Sequence, residues 1–266
     1  MISPKIIYQV DAFTAKPFKG NPAGVCILDK EPSPIWMQNI AEEMNLSETA
    51  FIFPGKDGRE IRFFTPEVEV PLCGHATLSA SHIMYETHLY NGSEEITLNS
   101  MQGELRVRKS GNWIVMNFPL YTHNRVPVPA DIDQIIGIKP AELYQSNDGW
   151  YLALIENEKM IHDMKPDFIM MKNSEYRSLI VTAKSEESKF DFCVRCFAPA
   201  LGINEDPVTG SAHCALVPFW HIKTGKYDFT SHQVSKREGV LKVSLKGERV
   251  EISGQAKTIL RAELLV

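Results

Sequence analysis

Glu48, His75 and Asp206 are the residues of this sequence best suited to move protons. Glu48 lies in NLSETAF, between a predicted helix end and an apolar strand, where small or apolar neighbours would desolvate its carboxylate and raise its pKa. His75 lies at a predicted helix start, and Asp206 precedes a second one. A group whose pKa is near the working pH can take a proton and return it. We predict all three as catalytic residues, against the alternatives of a solvent-facing capping glutamate and a turn aspartate before proline.

Two predicted helix starts, at Gly74-His75-Ala76 and Gly210-Ser211-Ala212, could bind an anion. Glycine lets a ligand approach the backbone closely, and the first-turn N–H groups have no partner within the helix. These groups and the positive end of the helix dipole favour a carboxylate or an oxyanion. The alternative is ordinary helix capping. The residues predicted to bind a substrate carboxylate are Gly74, Ala76, Thr209, Gly210 and Ser211.

The five cysteines form no familiar disulfide or metal pattern. An odd number in a chain of 266 residues is not a disulfide framework. Cys193 and Cys196 lie in DFCVRCF, which alternates like a strand, whereas a redox C-x-x-C opens a helix. A zinc site that includes them matches no standard ligand spacing. Cys73 is a further candidate for the active cleft, although residues two apart at a helix start are poorly placed to act as thiol nucleophile and base.

Motifs for a nucleotide, flavin or metal cofactor are absent from the sequence. There is no Walker-type loop, no G-x-G-x-x-G after a strand, and no ligand cluster with metal spacing. We therefore predict a reaction that needs no metal, flavin, nicotinamide or pyridoxal cofactor.

Composition excludes two other classes of function. There are 28 Lys and Arg residues against 33 Asp and Glu residues, a formal charge of −5, so the basic excess typical of nucleic-acid binding is missing. No apolar run reaches the roughly 18 residues of a membrane span. The first residues, MISPKIIYQVDAF, lack the apolar region of a signal peptide, so we expect a cytoplasmic protein.

Segments of the first half recur in the second half, in the same order and 133–136 residues later. The pairs are RFFTP at 62–66 with RCFAP at 195–199, GHA at 74–76 with GSA at 210–212, and GELRV at 103–107 with GVLKV at 239–243. One order and a nearly constant offset predict a tandem repeat. Two repeats are too few for a solenoid, so a two-lobed, pseudo-twofold protein is expected.

Each half is predicted as strands around one central helix, an α+β arrangement. Alternating segments rich in β-branched residues indicate the strands. The central helices are predicted at about 75–86 and about 211–223, where apolar residues recur at helical spacing. The predicted lobes are residues 1–119 and 120–257.

Five ordered motifs resemble the phenazine-biosynthesis-isomerase-like (PhzF-like) family, from about residue 5 to the C-terminus. They are DAFT with GNPAGV at 11–25, NLSETAF at 45–51, PLCGHAT at 71–77, R-x-F-x-P at 195–199 and EDPVTGSA at 205–212. The resemblance implies the diaminopimelate-epimerase-like fold, in which two pseudo-symmetric lobes each wrap a curled, mostly antiparallel, barrel-like sheet around a central helix. It also implies an active cleft between the lobes, a homodimer, and a last strand, 258–266, that returns to the first lobe.

The resemblance also implies a role for each candidate residue. The catalytic glutamate, the cleft histidine, the aspartate and the groups that hold the substrate carboxylate fall on Glu48, His75, Asp206, Gly74, Gly210 and Ser211. Related epimerases and racemases use two cysteines that face each other across the cleft. The first matches Cys73, but the second position is Pro207, so half of the two-thiol machinery is missing.

The leading hypothesis is a cofactor-independent isomerase that acts on a small carboxylate-bearing metabolite, an amino or hydroxy acid that is cyclic or unsaturated. Glu48 would take a proton from one carbon and return it to another. A racemase or epimerase of the same fold is the first alternative. A non-catalytic protein that binds small acids is the second.

Overall fold

Alternating apolar residues build the strands of this protein, and long buried helices pack on them. The computed structural model describes residues 5–92 and 94–266 and contains two compact units. The first unit runs to Asn117 and is completed by Ser253–Val266, and the second unit is Phe118–Ile252. Both units mix strands and helices, which confirms the predicted α+β class. Across the described ranges, no helix is long and apolar enough to cross a membrane.

The strands of the first unit pair mostly antiparallel. They are β1 Lys5–Ala12, β2 Asn21–Ile27, β3 Glu48–Gly55, β4 Gly58–Phe64, β5 Glu69–Val70, β6 Ile96–Ser100, β7 Gly103–Ser110, β8 Trp113–Pro119 and, at the end of the chain, β18 Ala256–Leu264. β1 pairs antiparallel with β2 and β18, and β2 pairs parallel with β3. β3 then pairs antiparallel with β4, and β4 pairs parallel with β6. The last strand of the chain is therefore part of the first unit.

Helix α2, Gly74–Glu86, is the central helix of the first unit. Helix α1, Pro34–Met44, lies between β2 and β3 in the sequence. Most of α2 is buried, since small residues such as Ala76 and Ala80 let the strands approach it closely. Two of its buried hydroxyls are satisfied within the helix, because Thr77 donates to the Cys73 carbonyl at 2.7 Å and Ser81 donates to the Thr77 carbonyl at 2.9 Å. The predicted helix at 75–86 is thus present, one residue longer at its start.

The second unit also contains both strands and helices. They are β9 His123–Val126, α3 Ile132–Ile136, β10 Glu142–Ser146, β11 Tyr151–Leu154, α4 Glu158–Asp163, α5 Phe168–Lys172, β12 Leu179–Lys184, β13 Phe192–Ala198, β14 Ile203–Asp206, α6 His213–Thr224, β15 Asp228–Gln233, β16 Gly239–Lys246 and β17 Arg249–Gly254. β11 pairs parallel with β12, and β13 pairs parallel with β15, as β2 does with β3 and β4 with β6. Helix α6 is the buried central helix here.

Helix α6 begins at His213, not at Ser211 as predicted. In an α-helix the N–H of His213 would bond to the carbonyl of Thr209. That carbonyl instead faces Nδ1 of the His213 ring at 3.0 Å, and the His213 N–H donates to the Gly210 carbonyl at 3.1 Å. The side chain of His213 thus competes for the acceptor, and residues 210–212 form tight turns before the helix.

The recurring arginines form equivalent ion pairs in the two units. Arg62 binds the carboxylate of Glu69 through Nε and Nη2, both at 2.6 Å. Arg195 binds Glu205 through the same two nitrogens, at 2.7 and 2.9 Å. Both are two-pronged contacts of a planar guanidinium with a carboxylate, the geometry that lysine cannot provide. That the two halves arose as a tandem repeat remains a prediction, and the matching arginines agree with it.

Candidate active site

Glu48 is the first residue of β3, where a run of buried residues begins. The strand continues with Thr49, Ala50 and Phe51, each fully buried, and these residues fix the start of the strand in the core of the first unit. The Glu48 side chain keeps only 15% of its exposure. A carboxylate is therefore held at the edge of an apolar core, where its charge needs a partner.

His75 supplies that partner from the first turn of α2. Cys73 precedes the helix in an extended conformation and Gly74 opens it, so the backbone turns sharply into the helix. His75 is 7% exposed, and its Nε2 lies 3.1 Å from Oε2 of Glu48. Its Nδ1 lies 3.4 Å from Sγ of Cys73. The structure thus brings Glu48, Cys73 and His75 together beside Gly74 and Ala76.

The electrostatics of this group reverse one prediction. Burial raises the pKa of Glu48, but the charge of His75 and hydrogen bonds from His75 and Cys73 outweigh it, so the pKa is lowered. Burial lowers the pKa of His75, but the opposing effects of Cys73 and Glu48 are larger, so the pKa lies well above 6.5. The expected rise in the pKa of Glu48 was wrong for the ligand-free protein, because sequence reasoning included the desolvation and omitted the cation. The pair is a buried carboxylate with an imidazolium.

Cys73 is the neutral member of the group. Burial and the nearby Glu48 carboxylate raise the pKa of its thiol, and His75 and the Ala76 N–H lower it by less. The thiolate is the nucleophilic form of cysteine. This environment therefore favours an unreactive thiol.

Asn21 belongs to the same group and was not among the predicted site residues. It is fully buried at the start of β2, and its Nδ2 lies 3.3 Å from Nδ1 of His75. Its place is set by Gly20, which has φ +70° and no room for a Cβ, because that atom would lie 2.1 Å from the Ala12 carbonyl oxygen. The glycine before Asn21 in GNPAGV was the available signal, since a required left-handed glycine fixes the next residue.

The remaining predicted site residues form a second group, in the second unit. Thr209 donates its hydroxyl to Oδ2 of Asp206, and its N–H donates to Oε1 of Gln233 at 2.8 Å. Gln233 also donates through Nε2 to the Asp206 carbonyl at 2.8 Å. Gly210 is buried and Ser211 is exposed in the turns before α6. The buried Gln233 thus braces the loop that carries Asp206, and no sequence motif indicated it.

His213 has a structural role in this loop. Both ring nitrogens are engaged, Nδ1 with the Thr209 carbonyl and Nε2 with the Ser231 hydroxyl at 2.8 Å. Burial lowers its pKa to about 4. It is a neutral imidazole that donates to a backbone carbonyl, so its contacts hold the loop in place.

Glu48, Cys73 and His75 also offer three metal-ligand atoms within 4.8 Å of one another. The direct contacts favour an ion pair over a metal site for this group. Nε2 of His75 already faces Oε2 of Glu48 at 3.1 Å, the separation of an ion pair. The side chains satisfy each other's charge, and the arrangement is suited to proton transfer.

Comparison with known proteins identifies the family. The family model for phenazine biosynthesis-like protein, PhzC-PhzF, matches residues 10–262. An uncharacterized isomerase of Halalkalibacterium halodurans is 47% identical over 98% of each chain. The chain belongs to the PhzC-PhzF family. The family resemblance and the predicted class of enzyme, an isomerase, are thereby confirmed.

Solved structures of PhzC-PhzF proteins match nearly the whole chain. A PhzF-family protein from Enterococcus faecalis has a TM-score of 0.93 at 36% identity, covering 99% of this chain and 100% of that one. A PhzC/PhzF protein from Clostridium difficile has a TM-score of 0.91 at 38% identity, covering 98% and 100%. A hydroxyproline epimerase from Agrobacterium vitis, at 10% identity and a TM-score of 0.66, covering 98% and 90%, shares the fold alone. The predicted diaminopimelate-epimerase-like fold is confirmed.

Proposed function

We propose that this PhzC-PhzF protein is a cofactor-independent isomerase that moves a proton between two carbons of a small carboxylate-bearing acid. The substrate class is an amino or hydroxy acid that is cyclic or unsaturated. The observation that carries the proposal is the buried pair of Glu48 and His75, 3.1 Å apart. An ionised carboxylate shielded from water and held in one orientation is a preorganised general base.

In the proposed reaction, Glu48 removes a proton from a carbon next to the substrate's unsaturated or carboxyl group. The electron pair of the broken C–H bond enters the conjugated system and forms an enolate-like anion. Glu48, now a carboxylic acid, returns the proton to a different carbon of that system. The double bond shifts, no proton is gained or lost overall, and no redox partner is needed.

The lowered pKa of Glu48 in the ligand-free protein is compatible with this role. A bound carboxylate would bring a negative charge near Glu48, and a like charge raises the pKa of a carboxyl group. The substrate would also compete for the positive charge of His75. Both changes move the pKa of Glu48 toward the working pH, so substrate binding itself would activate the base.

His75 and the other predicted residues would bind and orient the substrate. The imidazolium of His75 and the start of α2 at Gly74 and Ala76 would stabilise negative charge that develops in the substrate. In the loop of Thr209, Gly210 and Ser211, the last two residues would bind its carboxylate through backbone N–H groups and the Ser211 hydroxyl, while Thr209 holds the loop in place. Asp206 would accept a hydrogen bond from its amino or hydroxyl group.

The alternative two-thiol racemase is less well supported by this arrangement. Its first thiol would be Cys73, whose pKa is raised by burial, and its second position is Pro207. A thiol that stays protonated is a poor base for carbon acids. One carboxylate that both takes and returns the proton needs no second base.

Solvent-deuterium exchange tests the proposal. Small cyclic or unsaturated amino and hydroxy acids are first screened by thermal shift, since a ligand at 100 times its dissociation constant adds about 2.7 kcal/mol of stability. Each ligand is then incubated with the protein in deuterated water and followed by NMR and mass spectrometry. We expect isomerised product, with deuterium at carbon where the proton on Glu48 exchanges with solvent before it is returned. The reaction should persist at a reduced rate in Cys73→Ala, since this thiol hydrogen-bonds to Glu48 but transfers no proton.

Two outcomes would contradict the proposal. Ligands that stabilise the protein but are neither isomerised nor exchanged would indicate a binding protein without catalysis. Exchange that is abolished in Cys73→Ala, with the ligand still bound, would indicate thiol chemistry and favour the racemase alternative.

A further inference from the structure

A second cluster of ionisable side chains lies in the second unit, and the proposed reaction does not use it. Glu158, Glu187 and His232 each offer one ligand atom, and the three atoms lie within 4.8 Å of one another. They come from the start of α4, the segment between β12 and β13, and β15. Because they are far apart in the sequence, no ligand spacing could reveal them.

Glu158 is held in place before any ligand binds. It is 5% exposed, and its Oε2 accepts hydrogen bonds from the Ser185 hydroxyl at 2.9 Å and the Glu186 N–H at 2.6 Å. Its other oxygen, Oε1, faces Nε2 of His162 at 3.8 Å, one turn further along α4. A buried carboxylate with one oxygen fixed and the other directed at imidazole resembles a preformed metal ligand with an oriented second shell.

His232 has a ring nitrogen that a metal ion could satisfy. It stacks on Phe190 with ring centroids 4.4 Å apart, which fixes its plane. Its Nδ1 is buried and has no hydrogen-bond partner within residues 5–92 and 94–266. A buried polar atom without a partner is costly, and ligation of either ring nitrogen would orient the ring further.

The charge around the cluster also fits a divalent cation. Glu158 and Glu187 contribute two carboxylates to the cluster. Lys189 faces the cluster through Glu187, with Nζ 2.7 Å from Oε2, and is exposed. A metal at Glu187 would compete with a surface ion pair, and such pairs contribute only about 0–1 kcal/mol.

We propose that Glu158, Glu187 and His232 form a binding site for one divalent transition-metal ion, of which Zn²⁺ is the best match. Two carboxylate oxygens and one imidazole nitrogen are ligands that Zn²⁺ accepts in a tetrahedral site, with water in the fourth position. The ion would join α4, β15 and the segment after β12. The site would be structural, and the isomerase reaction is still expected to proceed without a metal.

The test is metal titration of chelator-treated protein with Zn²⁺ by calorimetry, and with Co²⁺ followed by its visible spectrum. We expect one ion per chain and a Co²⁺ spectrum of four-coordinate type. Glu187→Gln and His232→Gln should weaken binding by about tenfold or more. Glu186→Gln removes the same charge from the neighbouring exposed residue and should leave affinity unchanged. Glu187 is exposed, so its substitution does not threaten folding.

Three results would overturn the site. The first is no Zn²⁺ binding at micromolar concentration. The second is equal affinity in wild type, Glu187→Gln and His232→Gln. The third is binding that persists in Glu187→Gln but is lost in Cys73→Ser, which would place the ion on the Glu48, Cys73 and His75 group of the first unit. A correct site together with absent deuterium exchange would leave this inference intact and contradict the proposed function alone.

Discussion

The two central helices start in different ways, although they occupy matching positions of the sequence repeat. At the start of α2, the Cys73-Gly74-His75 segment carries a buried imidazolium that pairs with Glu48. Before α6, the Thr209-Gly210-Ser211 segment has no ionisable side chain and is held by hydrogen bonds with Asp206, Gln233 and His213. Ser211, which matches His75, is exposed.

In the proposed function, this difference separates two tasks. A charged pair in a desolvated place would move protons, whereas the turns at Gly210 and Ser211 would bind an anion. Pro207 stands where the resemblance to two-thiol racemases places the second thiol. The two halves of the sequence are similar in their strands and differ in the residues that we propose for the chemistry.

The strongest test of this division of tasks is Glu48→Gln, which keeps the shape of the side chain and removes the transferable proton. The rate of isomerisation or deuterium exchange should fall by about 10²–10⁴-fold, with substrate affinity nearly unchanged. Glu43→Gln, at an exposed position of α1, is the matched control and should keep the full rate. Near-full exchange in Glu48→Gln would contradict the proposed division of tasks between the two helix starts, and Cys73 would be the next group to test.

Much of the first group could be predicted because its positions follow from local patterns. Glu48 precedes an apolar strand, and His75 follows a glycine at a helix start, so both were placed at element ends where side chains converge. The α+β class followed from strand alternation and the two helical stripes. The recurring sequence motif also identified Arg62 and Arg195 as matching positions.

Long-range contacts account for what could not be predicted. The direction of the Glu48 pKa depends on a 3.1 Å contact with His75, which no propensity encodes. Gln233 braces Thr209 across 24 residues and belongs to no motif. The start of α6 moved by two residues because the His213 ring took a carbonyl that the helix would have used.

Removing the imidazolium should cost stability only in the first unit. His75→Gln leaves the buried Glu48 carboxylate without its cation, so the free energy of unfolding near neutral pH should fall by about 3 kcal/mol. His82→Gln, on the same helix with a partly exposed side chain, should cost less than about 1 kcal/mol. Chemical denaturation measures both. The double variant Glu48→Gln/His75→Gln should be more stable than His75→Gln, since no charge stays buried, and a less stable double variant would contradict the ion pair.

The central-helix histidines should give stability opposite dependences on pH. The pKa of His213 is about 4 in the folded protein against 6.5 for an ordinary histidine, so its contribution is present above pH 6.5 and is lost as the pH falls toward 4, about 3 kcal/mol in all. The pKa of His75 is raised, so its contribution is complete below pH 6.5 and is lost as the pH rises through the raised value. Unfolding free energies measured across pH for wild type, His213→Gln and His75→Gln check this. His213→Gln should reduce the loss of stability at low pH, and His75→Gln should reduce the loss at high pH. A variant whose pH profile matches that of the wild type would refute the pKa shift assigned to that histidine.

The smallest expected effect concerns the matching arginines, which differ in what else they bind. Beyond its carboxylate, Arg195 donates through Nη1 to the carbonyl oxygens of Ile161 and Met164, at 2.9 and 3.3 Å. Both of those residues are buried, so Arg195→Met would leave backbone acceptors unsatisfied and should cost about 2–3 kcal/mol. Arg62→Met loses a partly exposed pair and should cost about 1 kcal/mol. Denaturant unfolding of the two variants, with Glu205→Gln as a control that keeps the carbonyl contacts, isolates the difference. Equal losses for the two arginines would mean that the carboxylate pair alone sets the stability of both positions.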